Sequence, residues 1–434
     1  MTQSAISTIR SVLIGSVFLS IVCSAQQPET TFKQLPAPRG KYAVGRIAYD
    51  WVDKTRPETL SKIPGANREL MVYVWYPAEP VDDHERAEYL PGAQTIAKSS
   101  ESGKEKEFWG DNWPVVASGD VRTSTIDRPR IARTKERFPL IVFSPGLGVS
   151  STTYTTLIQE VVSHGYIVAA IDPTYEVPVV AFPDGRVVPY LEEATLRHQS
   201  TPPGENREQF LKRMHAFDAP HLDKWAADMR FAIDQVALLN EAEKTTSPFS
   251  GRVDLIEIAA WGHSFGGRAA ARACQLEPRI TACLNADGLG TEGPIFVYEG
   301  ASLPSQPFLW MEVFHEPPTD AQLAPYGTTR KEWDKNHQVQ LVTNERQLKD
   351  CPGGSYHVRI NMPGIEHMSF SDQLFIESEK KEDLDNAARS LQVIEDYTVA
   401  FFDRYLKQSK GALLEVTTER PASITLEKFG PSGQ

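Results

Sequence analysis

The stretch Ile256-Glu257-Ile258-Ala259-Ala260-Trp261-Gly262-His263-Ser264-Phe265-Gly266-Gly267-Arg268-Ala269-Ala270-Ala271-Arg272 decides the fold. It reads as a buried strand, a serine between glycines and an alanine-rich helix. Gly262-His263-Ser264-Phe265-Gly266 matches G-x-S-x-G, in which a sharp strand-to-helix turn holds a serine hydroxyl at the end of a sheet. Gly262 and Gly266 lack the β-carbon that would keep strand and helix apart at such a strained residue. The helix points its unpaired N–H groups and positive dipole end at the place where an oxyanion would form. Five letters with three fixed are weak alone; the apolar run before and the helix after supply the context the motif requires. The competing reading is an ordinary turn with a solvated serine.

Working outward, residues 138–143 form a continuous apolar run, the mark of a strand buried on both faces. Ser144-Pro145-Gly146-Leu147-Gly148 turns into a helical pattern over 154–164, Gly165 caps it, and 166–171 is the next buried strand. This is a right-handed βαβ unit, and in a G-x-S-x-G hydrolase the loop after its first strand supplies one oxyanion-hole N–H. Residues 42–50 and 69–77 alternate as a hairpin, with 71–76 an edge-type strand ending at Pro77. A helix is expected over 222–240. Strands follow over 255–261, 280–285 and 307–314, then a charged helical region over 329–349. Residues 355–361 read as a last strand with His357 and Arg359 on its solvated face, followed by an amphipathic helix over 384–407.

Alternating strands and helices indicate one α/β domain over 42–410, a mostly parallel central sheet with helices on both faces. Two irregular stretches, 81–137 and 173–220, are lid-like insertions. Trp109 and Trp113 are expected to pin the first to the body, and the second to cover the sheet's C-terminal edge. Residues 26–41 read as a polar surface arm and 411–434 as a tail with no assigned place.

The chain has 434 residues, 41% of them apolar, and a net charge of −12 without a long basic run. That is enough for a sizeable core and argues against nucleic-acid binding. Arg10, an apolar run over 12–22 and Cys23-Ser24-Ala25 read as a signal peptide over 1–25, hence a secreted or periplasmic protein beginning near Gln26. A lipid anchor on Cys23 ranks lower, because bulky Ile21 and Val22 precede it. Cys274, Cys283 and Cys351 remain; Cys274 and Cys283 could pair, but small buried hydrophobes are the favoured reading. No zinc pattern occurs: His315-Glu316 begins like H-E-x-x-H, but Pro317 and Pro318 follow.

A serine hydroxyl needs a base, and the base a third group to fix its tautomer. In this architecture the order is Ser, acid, His. Of His315, His337, His357 and His367, the last stands in a turn after the final strand and is the choice. Asp287, at the end of an apolar strand and flanked by Ala286 and Gly288, is the acid; Glu316, in a polar loop after the next strand, is the rival. A carboxylate at a buried strand end needs a partner, and an imidazole supplies one. Glu366 is read as solvated.

These residues carry a resemblance. Arg68-Glu69-Leu70 leading to Val74-Trp75-Tyr76-Pro77, Phe143-Ser144-Pro145-Gly146-Leu147-Gly148, Gly262 to Gly267, Asp287-Gly288 and His367 with Ser369-Phe370 are similar to the plasma-type platelet-activating factor acetylhydrolases and their bacterial relatives, of the α/β-hydrolase superfamily. The resemblance implies that the acid is Asp287, that the backbone N–H groups of Leu147 and Phe265 form the oxyanion hole, and that no metal or other cofactor is used. It further implies a serine esterase of short or oxidised acyl esters. The substrate would be a small-molecule or lipid ester, with contact to a lipid surface among the expectations. Pro145 stands where the animal enzymes carry histidine. The alternatives are a polyester or lactone hydrolase with the same residues, and a catalytically silent extracellular binding protein.

Overall fold

Apolar runs make the middle of the sheet because helices cover both of its faces. The computed structural model describes residues 32–81, 86–192, 207–288, 303–324 and 327–430. The expected signal peptide and the first residues of the arm lie outside them. Among the described residues ten strands form one sheet: β1 (Ala43–Pro57), β2 (Asn67–Ala78), β3 (Ile126–Asp127), β4 (Phe138–Ser144), β5 (Ile167–Pro173), β6 (Val253–His263), β7 (Ile280–Ala286), β8 (Phe308–Val313), β9 (Ser355–Ile360) and β10 (Ile424–Phe429). Their spatial order is β10-β9-β8-β7-β6-β4-β5-β2-β1-β3. From β5 to β9 the neighbours are parallel, whereas β1, β2 and β10 join antiparallel.

Side chains alternate between two cores, as a two-residue period demands. Ile141, Phe143, Trp261, Leu284 and Met311 face α1 (Thr155–Ser163) and α5 (Lys381–Leu406), where Ile158, Val162, Ile394 and Phe402 meet them. Leu140, Val142, Ile258, Ala260 and Trp310 face the other way. There Met229 and Ile233 of α2 (Arg207–Glu241) and Ala270 and Ala273 of α3 (Phe265–Leu276) meet them. Each such fully buried aliphatic or aromatic side chain contributes about 1.5–3 kcal/mol. Among the described residues, no helix is long and apolar enough to cross a membrane.

Several expectations change. β2 is an interior strand, paired with β1 and β5; its proline is tolerated because Pro77 lies beyond Trp75, where the β5 ladder ends. The insertion over 173–220 is shorter than expected, since α2 begins at Arg207 and runs through Pro220. Pro220 and Ala216 are both exposed, which leaves to water the carbonyl that lost its donor. The polar tail supplies β10, so residues 355–361 are not the last strand. Under that strand His357 is buried, stacked on Trp310 at 3.9 Å, rather than solvated; Arg359 is exposed. The arm is more than a surface feature: Lys33–Gln34 pairs with Val121–Arg122, and Leu35 lies in the core. Cys274 and Cys283 form a disulfide instead of two separate hydrophobes, because the last turns of α3 pack against the middle of β7 and bring their Cα atoms within 6.4 Å. Cys351 is free and buried.

In the first insertion the described residues form short helices, Ala93–Lys98, Gly103–Trp109 and Trp113–Ser118, and both tryptophans sit in the core. In the second, Val179–Ala181 and Val187–Pro189 make a small hairpin; residues 82–85 and 193–206 of the insertions lie outside the described set.

Candidate active site

Ser264 is the single residue between β6 and α3, and its backbone is held at φ 54°, ψ −125°. That conformation is costly for a side-chain-bearing residue and persists only where its surroundings enforce it. The enforcement is steric. A β-carbon on Gly262 would lie 2.2 Å from the Gly266 carbonyl oxygen, and one on Gly266 would lie 2.2 Å from the Ser144 and Pro145 carbonyl oxygens. Only glycine permits the elbow to close on the loop after β4.

Three side chains from separate parts of the sequence converge on this turn. His367 Nε2 is 2.9 Å from Ser264 Oγ, and His367 Nδ1 is 2.6 Å from Asp287 Oδ2. His367 opens a one-turn helix, His367–Phe370, after β9. Asp287 follows β7 with φ 50°, donates its N–H to the Met311 carbonyl at 2.7 Å and accepts the Val313 N–H at 3.2 Å. Burial pushes its carboxyl up, but hydrogen bonds from His315 and His367 outweigh that and hold it well below the usual carboxylate range. Ser264 and His367 are partly exposed.

The two N–H groups expected to form an oxyanion hole also lie at this turn. Phe265 is the first residue of α3, and Leu147 packs against it together with Leu222, Trp225 and Ala269. Neither N–H donates to another group among the described residues. The loop is braced close to the serine: a β-carbon on Gly146 would lie 3.4 Å from Ser264 Cβ, and Gly148 N–H donates to the Glu176 carbonyl at 2.9 Å.

A second hydrogen-bonded line connects that loop to the histidine turn. Gly146 N–H donates to the Tyr154 oxygen at 3.1 Å, which directs the Tyr154 hydroxyl proton to His263 Nδ1 at 2.8 Å. His263 Nε2–H then donates to the His367 carbonyl at 3.0 Å. Burial, with the charge of His367, holds His263 well below the ordinary imidazole value, so it is the neutral ring this line requires. Just beyond His367, buried Asp372 accepts the N–H groups of Thr155 and Thr156 at 2.8 and 3.0 Å. The histidine turn is thereby fastened to the start of α1.

The donor atoms of His263, Asp287 and His367 lie within 4.8 Å of one another. Both nitrogens of each imidazole are already committed to the partners above.

The other candidates separate cleanly. Glu316 is exposed, and among the described residues no ion pair joins it to an imidazole. Glu366 is exposed as well. His337 stacks on Trp333 at 4.6 Å within the helix α4 (Arg330–Lys349). His315 is different: its Nε2 lies 3.0 Å from Asp287 Oδ2. That contact and the Tyr154–His263 line were missed by sequence reasoning. The signal for His315 was its place just past β8, which is legible only once β7 and β8 are known to be neighbours. A cavity of about 410 Å³ between α4 and β8–β9, lined by Trp310, Phe314 and Trp333, also reaches His315.

Comparison with known proteins gives consistent relatives. The sequence model of the family "Platelet-activating factor acetylhydrolase, isoform II" matches residues 28–177. A protein of Arthroderma benhamiae named "Probable 1-alkyl-2-acetylglycerophosphocholine esterase" is 25% identical over 415 residues, 91% of this chain and 94% of that one. Platelet-activating factor acetylhydrolases of Cavia porcellus and Bos taurus are each 26% identical, over 46% and 54% of this chain and 46% and 50% of their own. Among solved structures, a ferulic acid esterase from Streptomyces cinnamoneus superposes with a TM-score of 0.60 at 27% identity, covering 91% of this chain and 99% of that one.

Proposed function

We propose, from this chain's kinship with the platelet-activating factor acetylhydrolases, that it is an exported serine ester hydrolase acting on short or oxidised acyl esters, phospholipid esters among them. The observation that carries the reading is the line Ser264–His367–Asp287, at 2.9 and 2.6 Å. His367 Nε2 takes the hydroxyl proton as Ser264 Oγ attacks the ester carbonyl. The N–H groups of Leu147 and Phe265 receive the oxyanion, and Asp287 steadies the imidazolium. The alcohol leaves with the proton from His367, and water, activated by the same ring, releases the acid from Ser264. Export is supported by the leader-like N-terminal sequence and by the Cys274–Cys283 disulfide, which persists in oxidising compartments.

The test is Ser264→Ala with p-nitrophenyl acetate and a fluorophosphonate probe. The expected result is loss of turnover on the order of 10⁴-fold or more and loss of labelling, with the fold retained. Retained hydrolysis would remove Ser264 from its role, and an unlabelled wild-type protein would favour a silent binding protein. A second reading, hydrolysis of aromatic-acid esters, is favoured by the tryptophan-lined cavity beside His315 and by the likeness to a ferulic acid esterase. Methyl ferulate turned over faster than p-nitrophenyl acetate would select it.

A further inference from the structure

Asp287 serves two imidazoles. His367 Nδ1 approaches Oδ2 at 2.6 Å, and His315 Nε2 straddles the carboxylate at 3.0 Å from Oδ2 and 3.2 Å from Oδ1. The two rings lie 6.0 Å apart, and both side chains are 41% exposed, whereas Asp287 is buried. Ser–His–Asp catalysis needs one imidazole on the acid, so the second calls for an explanation.

We propose that His315 is a positioning residue that competes with His367 for Asp287 and so sets the pH at which His367 becomes a free base. The proposal rests on the esterase reading of Ser264, His367 and Asp287. One buried carboxylate cannot stabilise two imidazolium ions as well as one, so the protons bind in two coupled steps. His315 reaches both oxygens of Asp287. Its hydrogen bond to Asp287 raises its proton affinity against the opposing effect of burial, and Glu312 adds to the rise. The other titratable or charged groups around it are Glu316 on its own loop, His263 on β6, His337 on α4 and Arg359 on β9. None of these comes between His315 and Asp287, whose direct contact dominates.

Once His315 is cationic, its charge stands 6.0 Å from the His367 ring. Two like charges about 6 Å apart, at effective dielectric constants of about 20–80, disfavour each other by about half to two pH units. His367 therefore protonates at a lower pH than it would with Asp287 to itself, and stays a competent base further into acid.

The experiment compares wild-type protein, His315→Gln and His315→Lys. The acid limb of kcat/KM for p-nitrophenyl acetate reports the free-enzyme base. His315→Gln keeps a donor to Asp287 but no charge, and its acid limb should move up by about half to two pH units. His315→Lys restores a cation and should bring the limb back to the wild-type position or below. A purely structural role would change the plateau and leave the limb in place. Histidine ¹³Cε1 NMR on wild type and Ser264→Ala gives a readout without turnover: two imidazoles should titrate with mutually dependent, biphasic curves. An acid limb unmoved or shifted downward in His315→Gln, or two independent single-step titrations in the wild type, would overturn the proposal. Activity retained by Ser264→Ala would instead overturn the esterase reading while the NMR coupling is still measured.

Discussion

Tyr154→Phe removes one oxygen from the fully buried line that joins the loop after β4 to the histidine turn. The phenylalanine ring fits the same space against Phe143, so the void is small. What is lost are two neutral hydrogen bonds, from Gly146 N–H at 3.1 Å and to His263 Nδ1 at 2.8 Å. Each leaves a buried polar atom without a partner, at about 1–3 kcal/mol, for a total of about 2–6 kcal/mol in stability. The catalytic cost is smaller than loss of an oxyanion donor, because the loop keeps Gly148 N–H on Glu176 and Val149 N–H on Gly146. Loosening one of these three tethers amounts to about 1.4 kcal/mol in the transition state, or about tenfold in kcat, with KM little changed. Steady-state kinetics on a short nitrophenyl ester and a urea unfolding midpoint measure the two effects. A lowered midpoint with an unaltered kcat would refute the claim that this line positions the oxyanion loop; an unaltered midpoint would refute the hydrogen-bond accounting.

Three further outcomes are expected. Arg68, fully buried among Glu58, Glu176 and Asp228 at 2.7–3.2 Å, should not tolerate Arg68→Met, which takes the shared cation from three buried carboxylates, leaving Asp228 with Arg56 and Glu176 with Lys224, and should cost about 3–5 kcal/mol by denaturant unfolding. Glu105 is buried and pushed up to about 8, so the native state holds a proton that an unfolded glutamate releases near its ordinary value of 4.5. Its stabilising contribution is full below that value and is lost as pH rises through about 8. Glu105→Gln should therefore gain in thermal midpoint on the wild type as pH is raised across this window. The Cys274–Cys283 bond closes a short loop, and the paired serine variant should unfold about 2–3 kcal/mol more easily, with thiol titration of the denatured wild type finding Cys351 reactive but neither Cys274 nor Cys283.

What the sequence made legible is what local pattern controls. The run over 138–143 reads as a buried strand because every residue in it is apolar, and 280–285 because Ile280, Ala282, Cys283 and Leu284 are. Ser264 is legible because the G-x-S-x-G spacing is local, and Gly262 is required by Gly266 four residues on. His367 and Asp287 were found from their places just past strand ends, and the structure brings both to Ser264. What local pattern does not carry is strand order. β2 was read as an edge because its interior position depends on β5, nearly a hundred residues on. The tail carries no strand signal because β10 is short and half polar, as suits an edge. His357 was read as solvated for the same reason, and His315 reaches Asp287 only because β7 and β8 lie side by side.

β10 has a consequence for handling and for evolution of this chain. Its six residues cap the rim of β9, whose backbone would otherwise present unsatisfied N–H and C=O groups. Clipping the chain before Ile424 would convert a sealed border into a template for a neighbouring copy, with the stacked Trp310 and His357 beneath it newly wetted. Truncation should thus promote self-association before it harms the chemistry, and a purification tag beyond Phe429 is safer on a flexible spacer than fused directly.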